Sequence, residues 1–318
     1  MNIISEQLII LGILVLIGII AARAKVLNEN SSSSLTKIIL KITLPLLIFT
    51  TFADKTLNTT FIYNGIIVFI SGVFSVFLLY ILGSLVTKIT KLSNQRKKLH
   101  QVQTMFGNIV FLGFPLLDSL FPGGEGLMYA SIFQIAHDSL MWTLGIFMLG
   151  KESKEEAKHK NNILLNPNTI AFILGLIFML SPFSLPEIII LPMAKLGHTT
   201  IYLSMLYIGY ILQKANIKEI FKDYRAYILS LNKLIIAPLI MLLLLSYIQQ
   251  AGIISISNTA LQVIIFQVGM PGMIVISILA KEMGYDEHRA ITNIFVSTVF
   301  SLLSLQFLFY LMNKYFIL

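Results

Sequence analysis

Ten long apolar stretches, nearly free of charge, recur along this chain with short polar connections between them. They cover residues 7–22, 33–52, 61–86, 101–120, 126–149, 167–182, 194–212, 226–248, 258–280 and 287–311. A helix that crosses a bilayer takes about 20 apolar residues, so ten crossings with short loops fit within 318 residues. Only 12% of the residues are charged and 56% are hydrophobic, against about 25% charged in soluble domains. That balance excludes a soluble enzyme, a nucleic-acid-binding module and a disordered chain. The class expected is an all-α, polytopic membrane protein. The first stretch has no basic residue before it, so a cleaved signal peptide is not expected. With no cysteine present, disulfides, thiolate nucleophiles and cysteine-bound metals are excluded.

The net charge of +8 has a topological explanation. Cytoplasmic loops of membrane proteins are enriched in Lys and Arg. One set of alternate connections carries seventeen basic residues, from Arg23 and Lys25 through the runs at Lys88–Lys98, Lys151–Lys160 and Lys214–Arg225 to Lys281 and Arg289. The opposite set, with both termini, carries three: Lys55, Lys195 and Lys314. The basic connections therefore face the cytoplasm and both termini face outward, across what is expected to be the cell membrane. Anionic lipid heads are the natural partner of such loops.

The mixed-charge run 151–166 lies midway and reads as a cytoplasmic linker. It separates a first unit of five helices, 1–150, from a second, 167–318. Because five is odd, a duplicated second half would insert upside down relative to the first. Helix 4 contains GNIVFLGFPLL (Gly107–Leu117) and helix 9 contains FQVGMPGMIVI (Phe266–Ile276). Each has a Gly two residues before a Pro: Gly113 and Pro115, Gly269 and Pro271, the prolines 156 residues apart. Proline within a helix removes a backbone bond and glycine adds freedom. One reading is two simple kinks. The other is two broken helices crossing at the membrane midplane, with new half-helices starting just after Pro115 and Pro271. Half-helix N-termini attract anions, and Gly272 directly follows the second break.

Asn108 and Gln267 flank these breaks. Each amide is suited either to a substrate carboxylate or to an interhelical hydrogen bond. In helix 5, His137 and Asp138 lie mid-membrane, where an ionisable group faces a partner or a water-filled cavity. Ser131, Gln134 and Asp138 share one helix face; Asn293, Ser297, Ser301 and Ser304 form a comparable stripe in helix 10. Asp138, with His137 as relay or opposing charge, is the expected proton-coupling site. The alternative is a polar strut between helices 5 and 10. No HExxH, Walker or GxSxG pattern occurs, and the five histidines lack metal-ligand spacing. No catalytic residue, cofactor, metal or nucleic-acid partner is expected.

LPLLIFTTF (Leu44–Phe52), GNIVFLGFPLL, GMPGMIVISILAKEMG (Gly269–Gly284) and VSTVFSLLSLQFLFYL (Val296–Leu311) together resemble the auxin efflux carrier family. That family includes plant PIN-FORMED auxin carriers and bacterial permeases assigned to malate or malonate. The similarity runs end to end and matches the compact prokaryotic type, without a long central loop. It implies ten helices in two inverted five-helix repeats, as in sodium/proton antiporters and bile-acid symporters. It also implies a scaffold of helices 1, 2, 6 and 7 and a transport domain of helices 3–5 and 8–10. By the resemblance, Asn108 helps hold the substrate carboxylate, and Pro115 and Pro271 are the crossing prolines. Gly272 stands where plant members often carry a polar residue, which speaks against auxin as substrate. The function expected is elevator-type secondary transport of a small organic anion, with a dicarboxylate such as malate or malonate favoured. Coupling to H+, to Na+ or to the membrane potential alone is left open, and a homodimer is among the assemblies considered. A sodium-coupled symporter on the same scaffold and a non-transporting intramembrane sensor or enzyme are the rival readings.

Overall fold

The computed structural model describes residues 3–53, 59–150, 167–181, 185–215, 220 and 223–315. The linker 151–166 lies outside the described residues. Among the described residues fifteen α-helices account for nearly all of the chain, and the sole β-type pairing is one isolated bridge. In chain order they are α1 (Ile3–Arg23), α2 (Glu29–Ile38), α3 (Leu44–Ala53), α4 (Thr59–Ile89), α5 (Asn94–Met105), α6 (Phe114–Leu120), α7 (Glu125–Leu140) and α8 (Ile146–Gly150). After the linker come α9 (Pro167–Leu180), α10 (Glu187–Gln213), α11 (Tyr224–Leu231), α12 (Ala237–Gln250), α13 (Asn258–Val268), α14 (Val275–Glu282) and α15 (Glu287–Tyr315).

Several of these join end to end through π-turns. Ile39–Thr43 links α2 to α3, Ile109–Gly113 leads into α6, and Asn232–Ile236 links α11 to α12. Each precedes a proline: Pro45, Pro115 and Pro238. A proline ring clashes with the carbonyl four residues back. The chain accommodates it by widening one turn, so that an N–H reaches five residues back instead of four. Leu44 N–H accordingly bonds to Ile39 O, Gly113 N–H to Asn108 O and Ala237 N–H to Asn232 O. The prolines therefore bend these helices without cutting them.

Among the described residues, seven continuous helical stretches are long and apolar enough to cross a membrane: Ser5–Arg23, Glu29–Ala53, Thr59–Ile89, Glu125–Gly150, Glu187–Gln213, Tyr224–Gln250 and Glu287–Lys314. Three shorter apolar stretches, Ile109–Leu120, Pro167–Leu180 and Asn258–Val268, fall on the sequence's fourth, sixth and ninth segments. The fourth and ninth are short because each is split into two helices.

Outward faces are apolar, as a lipid solvent requires; on α1 alone Ile9, Ile13, Leu16, Ile17 and Ile20 are exposed. α1 packs along α10, and α3 lies against α9 and α10. α4 packs on α5 and α7, and α11 on α15. The first contact is backbone to backbone: a Cβ on Gly18 would meet Leu206 O at 2.5 Å, and one on Gly209 would run into Val15 O. Small residues permit this approach between membrane helices.

Candidate functional site

The site is built where the two split helices meet. α5 ends at Met105 because Phe106 turns extended (φ −106°, ψ 125°), and Asn108 is also non-helical (φ −78°, ψ 57°). α13 ends at Val268, and the chain stays irregular until α14 begins at Val275. Pro271 lies within this second interruption. The two irregular segments lie antiparallel with Gly107 opposite Gly272. Asn108 N–H donates to Pro271 O at 2.7 Å, and Met273 N–H donates to Phe106 O at 3.1 Å.

Backbone groups freed from a helix inside a membrane must find partners in the protein. Two further amides here do so through side chains of α7 and α15. Gly107 N–H donates to His137 Nε2 on α7 at 3.1 Å, and Gly272 N–H donates to Ser297 Oγ on α15 at 3.0 Å. Below the first break, Lys233 Nζ donates to Thr104 O at 2.7 Å. Gln103 Nε2 donates to Ala290 O, and Asn293 Nδ2 donates to Gln103 Oε1 at 2.7 Å.

This geometry corrects the position of the first break. It lies at Phe106–Asn108, not at Pro115, which sits inside a continuous helical run from Ile109 to Leu120. The half-helix N–H groups therefore start just after Asn108. A proline distorts, but here the interruption is set by the pairing with the other segment. The facing glycines are 165 residues apart, not 156. Helix starts follow the same interval: Ile3 and Pro167, Thr59 and Tyr224, Asn94 and Asn258, Glu125 and Glu287 are 162 to 165 residues apart. The second pair, Glu29 and Glu187, departs from it at 158.

Two amides at the crossing are buried without partners. Asn108 is 2% exposed and its Nδ2 has no acceptor; Gln267 is 2% exposed and both polar atoms of its amide are unpaired. An unsatisfied buried group costs about 1–3 kcal/mol, which makes these two amides candidates to bond a water or a ligand. Gln267 lies against the widened turn: a Cβ on Gly113 would be 2.5 Å from Gln267 Oε1. Gly269 is packed by Leu308, Ile265 O and the Pro238 ring. The run Ile109–Leu120 faces α1 and α10, with the Phe111 and Tyr207 rings 5.2 Å apart.

His137 and Asp138 divide their roles. Since His137 Nε2 accepts from Gly107, its Nδ1 carries the proton and donates to Asp138 Oδ1 at 3.2 Å. The ring is thus a neutral tautomer, clamped by Phe106 and Phe133. Asp138 Oδ2 accepts from Gln134 Nε2 at 3.1 Å. The carboxylate borders a cavity of about 20 Å³ lined by Ile48, Trp142, Thr169 and Phe172 among others, enough for about one water. It thus faces α3 and α9, not helix 10, so the strut between helices 5 and 10 is not what forms. Ser131 Oγ bonds its own helix at Leu127 O.

Lys233 is the functional candidate that motif-based reading passes over. The signal is present, since it is the lone charge within the apolar stretch 226–248, and an intramembrane charge is a site hypothesis by default. No group of three His, Asp or Glu among the described residues is placed to hold a metal.

A helical membrane protein with paired, interrupted helices and unpaired amides at their meeting point has the form of a membrane transporter. The model of the family described as "Membrane transport protein" matches residues 3–163 and 158–309. The chain belongs to that family, the auxin efflux carrier family. It is similar to an uncharacterized transporter of Methanothermobacter thermautotrophicus, 27% identical over 95% of this chain and 96% of the relative. It is likewise similar to one of Methanocaldococcus jannaschii, 26% identical over 94% of this chain and 95% of that protein.

Proposed function

We propose that the chain is a secondary transporter that moves a small organic anion, a dicarboxylate such as malate or malonate being favoured, by an elevator-type shift. The observation that carries this reading is the pairing of Gly107 with Gly272 beside two unpartnered amides, Asn108 and Gln267. The first N–H groups after Asn108 lack intrahelical acceptors and lie at the positive end of a helix dipole. With the Asn108 amide they form a donor set for a carboxylate. Gly113 and Gly269 leave room for Gln267 and for close helix approach, while Pro115, Pro271 and Gly272 shape the two segments. All seven are proposed substrate-site residues.

The proposed architecture is ten spans in two inverted repeats of five, joined by the linker 151–166, in the cell membrane with both termini outside. The recurrence of helix starts supports the repeat. The packing of α1, α3, α9 and α10 on one another supports a scaffold of helices 1, 2, 6 and 7. The remaining helices, 3–5 and 8–10, then form the moving unit. Asp138 is the proposed proton-coupling carboxylate, with His137 as its fixed neighbour; sodium coupling is the competing form. The partners proposed are the anion, its coupling ion, lipid and a second copy of the chain.

The test is uptake and counterflow of labelled malate and malonate in proteoliposomes, with imposed pH or sodium gradients. Saturable exchange that Asn108→Ala weakens supports the reading. A protein that binds no carboxylate and exchanges none would refute it.

A further inference from the structure

Lys233 is wholly buried, at 0% exposure, within the π-turn between α11 and α12. Its one hydrogen bond among the described residues goes to Thr104 O. The turn packs against α4, α5 and α15. α4 and α5 contain no acidic residue, and the sole one in α15, Glu287, pairs with Lys281. On α7, His137 accepts from Gly107 N–H, and Asp138 bonds His137 Nδ1 and Gln134 Nε2, not Lys233. His100, one turn before Thr104, is buried on α5, and Asp223, just before α11, pairs with Arg289. The ammonium therefore has no carboxylate partner among the described residues. An ammonium buried without a counter-charge is costly, and an anion brought beside it lowers that cost.

A helix-end cap alone does not account for it. Each facing glycine has its own side-chain acceptor, so the two breaks are supported alike. The cation has no such counterpart: Val68, 165 residues earlier, is a buried apolar residue. The second break manages without a lysine. Lys233 does lie beside the crossing, because its helix runs from Thr104, at the end of α5, to Pro238, against Gly269.

We infer that Lys233 is the counter-charge of the transported anion, the residue that makes the crossing prefer an anion over a neutral molecule of the same shape. This rests on the organic-anion reading above. In the dry interior its charge acts on a ligand held by Asn108 without needing direct contact. By reciprocity, the anion relieves the cost of the buried ammonium.

The experiment measures binding of malonate, malate and succinate, and of their diamides, to the purified full-length protein and to Lys233→Met and Lys233→Arg. The native protein is expected to bind a dicarboxylate and to discriminate against its diamide. Lys233→Met should bind the dicarboxylate about tenfold more weakly or worse, the equivalent of one lost favourable charge interaction of about 1.4 kcal/mol, and should leave diamide binding unchanged. Lys233→Arg should retain the preference. Native-like dicarboxylate binding by Lys233→Met would overturn the inference while leaving the anion reading intact. So would equal loss of both ligands, or failure of both Lys233→Met and Lys233→Gln to fold, since each would make the lysine structural. Absence of carboxylate binding by the native protein would overturn the anion reading itself and the inference with it.

Discussion

Single side chains at the crossing divide into those that hold the backbone and those left with nothing to hold. His137 belongs to the first group. His137→Ala would leave Gly107 N–H unpaired in a buried site, and the expected loss is about 1–3 kcal/mol of stability, read as a lower unfolding temperature in detergent. Asn108 belongs to the second group. Its Nδ2 has no partner to lose, so Asn108→Ala should leave the unfolding temperature near native while weakening carboxylate binding by about 1–3 kcal/mol. Calorimetric titration checks the second half; a native affinity would return Asn108 to a packing role. Asp138→Asn is the coupling test. The amide can keep its oxygen toward His137 Nδ1, and Gln134 can turn its own amide over to accept from the new NH2. The variant should therefore fold and exchange substrate, while net uptake no longer responds to a pH gradient. Accumulation still driven by an imposed gradient would remove Asp138 from the coupling path.

At the scale of helices, the order of elements was largely legible in the sequence, and the breaks were not. Apolar run length marks the long helices because lipid thickness sets that length. The π-turns before Pro45, Pro115 and Pro238 show why proline alone misplaces a break. A helix absorbs one proline by widening a turn, so a Gly-x-Pro pattern does not say whether the chain is bent or cut. What cuts the fourth segment is the antiparallel partner at Pro271 and Met273, a contact between residues far apart in sequence. The amides of Asn108 and Gln267 could be picked out early because polar residues in apolar runs stand out. Their lack of partners needed three dimensions. Lys233 stood out equally and carried no motif. The contact of α1 with α10 offers an element-scale test. A side chain at Gly209 has no space against Val15 O, Gly18 Cα and Ile19 N, and overpacking costs about 1–3 kcal/mol. Gly209→Val should lower the unfolding temperature, whereas Gly252→Ala, in open space but at φ +72°, tests only backbone strain at a loop.

For the whole molecule, the charge asymmetry of the loops makes a prediction that needs no knowledge of substrate. A cysteine introduced beside Gly124 should react with an impermeant reagent from outside intact cells, and one beside Lys154 only after the membrane is opened. Labelling of both from one side would end the ten-span, outward-termini arrangement. Contacts also reach across the proposed division of the molecule. Lys281 on α14 meets Glu29 on α2 at 3.2 Å, and His198 on α10 meets Asp118 on α6 at 3.5 Å. The first pair is solvent-exposed and the second half-buried at Asp118; exposed pairs contribute little to stability. That is what a sliding contact requires, because a strong bond across the boundary would pin one position. The two bonds that join the crossing segments, Asn108 N–H to Pro271 O and Met273 N–H to Phe106 O, have the opposite character, being main chain to main chain. With His137 and Ser297 bracing the glycines from behind, the joint asks nothing of the other side chains around it. Lineages could then retune what the crossing carries by altering Asn108, Gln267 or Lys233 while the mechanical joint that carries it stayed the same.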